Sequence, residues 1–467
     1  MSQFLFYDFE TTGLAIGYDQ VLQIGAIACD SAMQPIKGAQ MNARCRLMPH
    51  LVPSPTALFV THVHPESLSA PTTQHWELMG AFERFAATHG PNIFIGHNSL
   101  GFDESVLRHA RFQSLMDPYL TNKHGNRRGD TMRFARAIWL FRPEEIALPH
   151  TDSGRPSFKL GLLCRENAIA FDEADAHDAL YDVEKTAEMA RLMATKSPAV
   201  WQAMLDNTAK QNAQRLMETA PVFAAGHVDR YNTQHRWIGT LAGLYQSEAA
   251  VFDLAHDPDD YAGASAEELT GLIGHAPTEP IKAMRLNAQP YAVAMDVAAP
   301  AYFDAVPALG VQEWERRAAA LKANGRLRQN IVQAMSLRHG DREPSPYVEE
   351  RLYDGFIPRG DEPLMARFQT APPEERTELI AQFEDKRLAS FARRIVYFDS
   401  PNALAPPTVE KLDAWQRERL LSEDSKPWTT IPSARAELEE LRLEHGALPL
   451  FDEIATYLDA REAQLEP

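Results

Sequence analysis

A chain of 467 residues exceeds the size at which one hydrophobic core keeps growing, so two or three domains are expected. Its 45% apolar and 24% charged residues exclude a disordered or fibrous chain, no apolar run is long enough for a membrane span, and MSQFLFYDFE has neither region of a secretion signal, so a cytoplasmic protein is expected. Cys29, Cys45 and Cys164 show no CxxC spacing, which argues against a disulfide framework and a zinc site, and the net charge of −18 leaves room for nucleic acid only in a locally basic channel.

Up to about residue 195, short β-rich runs alternate with helical patterns. FLFYDF (4–9), VLQIGAIA (21–28) and NIFIG (92–96) read as strands, and apolar spacing predicts helices over 76–87, 105–115 and 178–193. The alternation implies an α/β domain, 1–195, with a mixed sheet. Residues 199–216 read as a polar helical bridge. After Pro221, runs at 236–245, 249–254 and 280–286 predict short strands between Asp/Pro/Gly-rich turns, a small β domain that with its helical linker covers 199–345. A linker is expected near Pro344-Ser-Pro346, and helical patterns at 373–383 and 433–443 make 346–467 an all-α segment.

Two features along this path have two readings each. The stretch 313–328 carries Arg316, Arg317, Lys322, Arg326 and Arg328 against two acids, which suits either a solvated helix face or contact with a strand of nucleic acid. Trp201, Trp237 and Trp314 suit either base stacking or the core, the core being the more common place for a tryptophan.

Three acid-bearing segments carry the chemistry. In FLFYDFETTG (4–13), Asp8 and Glu10 share a strand face while Phe9 points the other way. Two desolvated like charges need an Arg or Lys partner, protonation of one acid, or a divalent cation. GHNSLGFD (96–103) follows a strand and presents Asp103 at a helix start, where helix capping alone is a sufficient explanation. In AHDALYDVEKT (176–186), His177 in the loop and Asp178 as cap would let Asp182 point inward. Asp8, Glu10, Asp103 and Asp182 form an all-oxygen set suited to Mg²⁺ or Mn²⁺. A pair of such ions roughly 4 Å apart stabilises in-line phosphoryl displacement, and a histidine suits the proton of the attacking water.

FYDFETTGL, HNSLGFD and AHDALYD resemble the three motifs of the DEDDh 3′-to-5′ exonucleases, a superfamily with a ribonuclease H-like fold. GDTMRFAR (129–136) and KLGLLC (159–164) resemble the segments between the second and third motifs. The resemblance implies that Asp8, Glu10, Asp103 and Asp182 bind two Mg²⁺ ions, replaceable by Mn²⁺, and that His177 is the general base. An exonuclease domain followed by a β domain and a helical domain is similar to the bacterial exodeoxyribonuclease I family, with further echoes in FRPE (141–144), RPSFKL (155–160), RLYDGF (351–356) and DKRL (385–388).

That family implies an SH3-like second domain, three domains in a C-shape around single-stranded DNA, and a monomer. It implies processive 3′-to-5′ degradation to nucleoside 5′-monophosphates, in recombination and repair, with Glu10, Thr11, Arg142 and Arg155 in contact with substrate. Family members also bind the acidic C-terminal tail of single-stranded DNA-binding protein through basic pockets. Here the family's Leu-Arg-Pro reads Ala298-Ala-Pro300, which removes one basic side chain, while Arg142 persists. Two alternatives are an exoribonuclease using the same site and a non-catalytic DNA-binding adaptor; the presence of all five site residues argues against the adaptor.

Overall fold

The structure is a computed structural model that describes residues 3–338 and 343–465. Residues 1–2, 339–342 and 466–467, which fall within the expected domain ranges, lie outside the described residues. The first sheet has five strands in the order β3-β2-β1-β4-β5, formed by β1 (Gln3–Thr11), β2 (Val21–Cys29), β3 (Pro35–Arg44), β4 (Asn92–Gly96) and β5 (Arg127–Asp130). β1 runs antiparallel to β2 and parallel to β4, so it sits at the centre of a mixed sheet.

Its alternation sorts the side chains. Leu5, Tyr7 and Phe9 pack with Phe82, Phe94 and Leu107 beneath the helices His75–Thr88 and Asp103–Gln113. Phe4 and Phe6 pack with Ile27, Ile95 and Val183 on the opposite face, covered by the helix Ala179–Lys196. Asp8 and Glu10 continue the Phe4 and Phe6 row, so the strand's period of two delivers both carboxylates to the start of that helix. The helix lies directly on β2, because a Cβ at Gly25 would come within 2.3 Å of the Ala179 backbone.

Pro198–Asp206 and Lys210–Thr219 form two helices where one was expected. The second sheet is antiparallel, in the order β10-β6-β7-β8-β9: β6 (Phe223–Val228), β7 (Gln234–Tyr245), β8 (Glu248–Asp253), β9 (Ile281–Arg285) and β10 (Ala292–Val293). β7, β8 and β9 meet the sequence expectation, whereas β3, β5, β6 and β10 were not anticipated. The helices Val311–Ala323 and Gly325–Leu337 pack on this sheet, Val332 fitting against Gly243.

The basic stretch 313–328 supplies part of that packing. Arg317 donates to the Leu254 and Ala255 carbonyls at 3.1 and 2.9 Å and Arg328 to the Ala242 carbonyl at 2.8 Å, while Arg316 pairs with Glu313 and Asp257. These three arginines thus pin helices to the β domain rather than extend toward a ligand. Trp201, Trp237 and Trp314 are only 5%, 2% and 6% exposed, Trp201 stacking on Phe134 at 4.0 Å; all three belong to the core.

The remaining described chain is helical, with helices at Asp361–Thr370, Pro373–Ile380, Lys386–Asp399, Pro406–Leu421, Ile431–His445 and Pro449–Ala463. Phe112 and Leu115 of the first domain enter its core beside Leu388 and Phe391. At the same seam, Tyr18 donates to Glu350 at 2.8 Å, and the neighbouring Glu349 accepts from Arg394 and Arg419, both at 2.8 Å. Burial works to raise the Glu349 pKa, yet the two guanidiniums hold the group below the usual carboxylate range. Removing this acid strands the buried Arg419 and the half-buried Arg394. Glu349→Ala is therefore expected to lower unfolding free energy by about 3–5 kcal/mol, read as a lower urea midpoint of the helical region.

Candidate active site

The first motif leaves β1 at a register shift between Glu10 and Thr11 and turns sharply. That turn is built by Asp19, which accepts from Thr12 Oγ1 at 2.8 Å and from the Ala15 amide at 2.6 Å. Glu10 is buried and Asp8 partly so.

Asp130 organises the second motif. Its carboxylate accepts from the amides of Asn98 (2.9 Å) and Leu100 (3.1 Å) and caps the helix Thr131–Phe141 through Met132 N–H (2.9 Å). His97 ties the loop further, with Nδ1 2.9 Å from Thr131 Oγ1 and Nε2 2.7 Å from the Phe158 carbonyl. Asn98, at φ 61°, makes the turn that starts the helix Asp103–Gln113. Asp103 is not the cap of this helix: the cap position is Phe102, without a side-chain bond, and Asp103 is the first helical residue, buried. The capping explanation thus fails for Asp103 and leaves its carboxylate to the acid cluster.

The third motif adopts the arrangement expected from its spacing. Asp178 caps the helix Ala179–Lys196 by accepting from Leu180 and Tyr181, and His177 lies in the preceding turn at φ 67°, a left-handed conformation uncommon outside glycine. His177 N–H donates to Asp182 Oδ2 at 3.3 Å. One ligand atom each from Glu10, His177 and Asp182 lies within 4.8 Å of the others.

Electrostatics draws in the remaining two acids. Burial, followed by the charges of Asp103, Glu10, Asp182 and Asp178, pushes Asp8 well above the usual carboxylate range. Burial, Asp182 and Asp103 do the same to Glu10, opposed by Arg44. Asp103 rises to about 7, chiefly through burial, and Asp182 to about 6, again chiefly through burial. Asp182 Oδ1 is buried with no hydrogen-bond partner. An all-oxygen donor set, mutual repulsion and an orphaned carboxylate oxygen fit a divalent cation held by Asp8, Glu10, Asp103 and Asp182.

The other expected contacts divide. Thr11 Oγ1 donates to the Gly13 carbonyl at 2.7 Å, bracing the turn after β1. Arg155 is exposed on the loop between Thr151 and Pro156. Arg142 is engaged elsewhere: Nε donates to the Val297 carbonyl at 2.6 Å and Nη1 to Glu145 at 3.1 Å. It sits at the far end of the helix Thr131–Phe141, about 16 Å from the Asp130 end that adjoins the site. Lys159, which sequence reasoning passed over, is a basic residue whose charge reaches His177; its signal was its place in RPSFKL, four residues past Arg155.

Raised acids have a measurable consequence. A carboxyl whose folded pKa exceeds its unfolded value weakens the fold once ionised; that cost begins to shrink as pH falls through the folded pKa and is gone below the unfolded one. In EDTA at pH 8, Asp182→Asn is therefore expected to raise stability by on the order of 1–2 kcal/mol, the gain shrinking as pH falls from about 6 to about 4. Thermal melts across that pH range check it, and added Mn²⁺ should reverse the ranking at pH 8.

The exonuclease family model matches residues 5–190, and the model of the exonuclease I C-terminal domain matches residues 346–460. Exodeoxyribonuclease I of Haemophilus influenzae is 28% identical over 404 residues, spanning 82% of this chain and 84% of its own. That of Escherichia coli K12 is 28% identical over 403 residues, spanning 83% of each. Among solved structures, E. coli Exonuclease I in complex with a dA16 oligonucleotide has a TM-score of 0.84 at 23% identity, covering 100% of both chains. Exonuclease I from Methylocaldum szegediense has a TM-score of 0.83 at 23% identity, again over 100% of both. Both share the fold from end to end. The chain thus matches an exonuclease domain and, after it, an exonuclease I C-terminal domain, and it is similar to exodeoxyribonuclease I over most of its length, with the acids of the three motifs acting on one another.

Proposed function

We propose that this protein is a processive 3′-to-5′ exonuclease that degrades single-stranded DNA to nucleoside 5′-monophosphates, in recombination and repair. The observation that carries the reading is the meeting of Glu10, from the start of the exonuclease match at 5–190, with His177 and Asp182, from its end, beside Asp8 and Asp103. The related E. coli enzyme has been solved with dA16 and dT13 oligonucleotides, and a structure of an exonuclease I is described as suggesting how processivity is achieved. No observation favours RNA as substrate.

Asp8, Glu10, Asp103 and Asp182 are the residues to hold two Mg²⁺ ions, with Mn²⁺ as a substitute. Bound there, the ions supply charge stabilisation of the phosphoryl oxygens and a more acidic water. His177 then serves as general base. Burial lowers its pKa, and the charges of His62 and Lys159 act in the same direction against Glu173, so the ring is neutral and able to accept a proton near pH 7. Its backbone bond to Asp182 fixes where the ring departs from the chain, which keeps base and ligand in step. Lys159 and Arg155, on the segment leading to this site, supply positive charge suited to the phosphates of the strand.

Three domains with the limits 1–195, 199–345 and 346–467 and a monomeric state complete the proposal. Binding to single-stranded DNA-binding protein is included, since a solved structure similar to this chain is described as SSB/Exonuclease I in complex with an inhibitor. For the acidic tail, Arg142 keeps three of its five N–H donors beyond those bonded to Val297 and Glu145, but its charge is already paired with Glu145. A tail peptide ending in Phe is expected to bind this protein, with Arg142→Ala weakening it by less than about tenfold; isothermal titration with no detectable binding to the unmodified protein removes the tail from the proposal.

The central test uses 3′-labelled and 5′-labelled single-stranded DNA with Mg²⁺ or EDTA. The 3′ label is expected to leave at once as mononucleotide, with no release in EDTA or by Asp182→Ala. His177→Ala should slow the chemical step by about 10²–10⁴-fold while Mn²⁺ affinity changes little. Equal or faster hydrolysis of a matched RNA would replace DNA as the substrate, and full activity in the His177 variant would remove its role as base.

A further inference from the structure

We propose that Gln23 is a positioning residue for the reaction: by anchoring Asp178 it sets His177 and Asp182 against the acids of β1. Gln23 lies on β2 directly opposite Glu10 and is completely buried. Its amide nitrogen donates to Asn42 Oδ1 on β3 at 2.8 Å and to Asp178 Oδ2 at 2.9 Å. A carboxylate cannot donate, so the side facing Asp178 must be the NH₂, and the amide has one orientation.

The two oxygens of Asp178 have separate tasks. Oδ1 caps the helix through Leu180 and Tyr181 N–H, at 3.1 and 3.3 Å; Oδ2 receives Gln23, with Arg44 Nη2 at 3.5 Å. The cap residue is followed four positions later by Asp182 and preceded by His177. Both catalytic groups therefore move with the end of the helix that Gln23 holds. The same glutamine is paired across the strand with Glu10, so one side chain joins the frame that carries the β1 acids to the helix that carries their counterparts. Gly25, two residues on, permits the close approach of Ala179 but supplies no directional bond; direction comes from Gln23.

A neutral donor suits this place. Asp178 already adds to the negative potential felt by Asp8, Glu10 and Asp182. An amide anchors it without adding a charge or a competing acid.

Activity on DNA rests on the proposed function, so the test also reads metal binding without DNA. Variants Gln23→Met, Asp178→Asn, Asp178→Ala and the double Gln23→Met/Asp178→Ala are compared by Mn²⁺ titration, by kcat and KM on a single-stranded oligonucleotide, and by melting temperature. Gln23→Met should weaken Mn²⁺ binding and lower kcat by roughly 10-fold or more, with KM changed by less than about twofold. Asp178→Asn keeps one oxygen for the cap but turns an NH₂ toward the Gln23 donor, so it should lose kcat and Mn²⁺ affinity as Gln23→Met does while melting closer to the unmodified protein than Asp178→Ala. The double variant should fall no further than the worse single.

Wild-type kcat and Mn²⁺ affinity in Gln23→Met would overturn the proposal, as would losses that multiply in the double variant. If Gln23→Met does not fold, Asp178→Asn decides, because unchanged kcat and Mn²⁺ affinity in a variant that keeps the cap but loses the acceptor at Oδ2 are incompatible with an anchor there. An unmodified protein that leaves DNA intact would sink the exonuclease reading alone; the Mn²⁺ titrations would still decide the role of Gln23.

Discussion

Everything in the site depends on how closely the helix Ala179–Lys196 approaches β2. With any side chain at Gly25, the Ala179 backbone could not occupy its place, because even a Cβ would overlap it at 2.3 Å. That contact brings the N-terminal end of a helix, its amides capped by Asp178 and its dipole positive there, over a sheet whose central strand carries two acids. The Phe4 and Phe6 face of β1 and the Val183 and Ala187 face of the helix are the apolar surfaces that drive the two together. Asp8, Glu10 and Asp182 are carried along by this packing. The acids do not attract one another, so their proximity is imposed by the core beneath them.

Imposed proximity explains the electrostatics. Each acid finds mostly carboxylates around it, and Arg44 acts on Glu10 as the opposing charge. The polar bonds at the rim do not neutralise the cluster; they orient it. Asp130 arranges the second motif through three backbone amides, and Asp178 caps the third, so each catalytic segment has a carboxylate assigned to backbone geometry as well as one left for chemistry. A protein built only for stability would replace such a cluster with neutral groups. Its persistence in a well-packed core is a mark of function.

Much of this was legible in the sequence, for identifiable reasons. β1 and β4 are short apolar runs with both faces covered, and the acids stand out against them. β3 (PIKGAQMNAR) is an edge strand mostly open to solvent, so its Lys, Gln and Asn blur the alternation; β5 (RRGD) is four residues long and reads as a charged turn. β6 (FAAGHV) is buried through small residues that leave no strong pattern. The five candidate residues stand out in the sequence because each lies in one of three short motifs, and the structure brings Glu10, His177 and Asp182 of that set within 4.8 Å of one another. The roles of Gln23 and Arg142 were not legible, because each is defined by a partner 155 residues away: Asp178 for one and the Val297 carbonyl for the other. Arg316, Arg317 and Arg328 show the same limit, since a helix rich in arginine looks alike whether its cations face solvent, DNA or a neighbouring strand's carbonyls.

The seam at Tyr18 ties the outer helices to the chemistry. Tyr18 lies only eight residues past Glu10, at the end of the turn that Asp19 stabilises; its hydroxyl reaches Glu350, and its ring meets Trp428 at 5.4 Å and Arg419 at 5.2 Å. The helical region is thus bolted to the loop that immediately follows the catalytic strand. Opening that seam would loosen the exit of β1, and tightening it would hold the strand's acids in register. Linkage of this kind is reciprocal. Cations that order the acid cluster are therefore expected to strengthen the seam as well, because both depend on the one turn that runs from Glu10 to Tyr18.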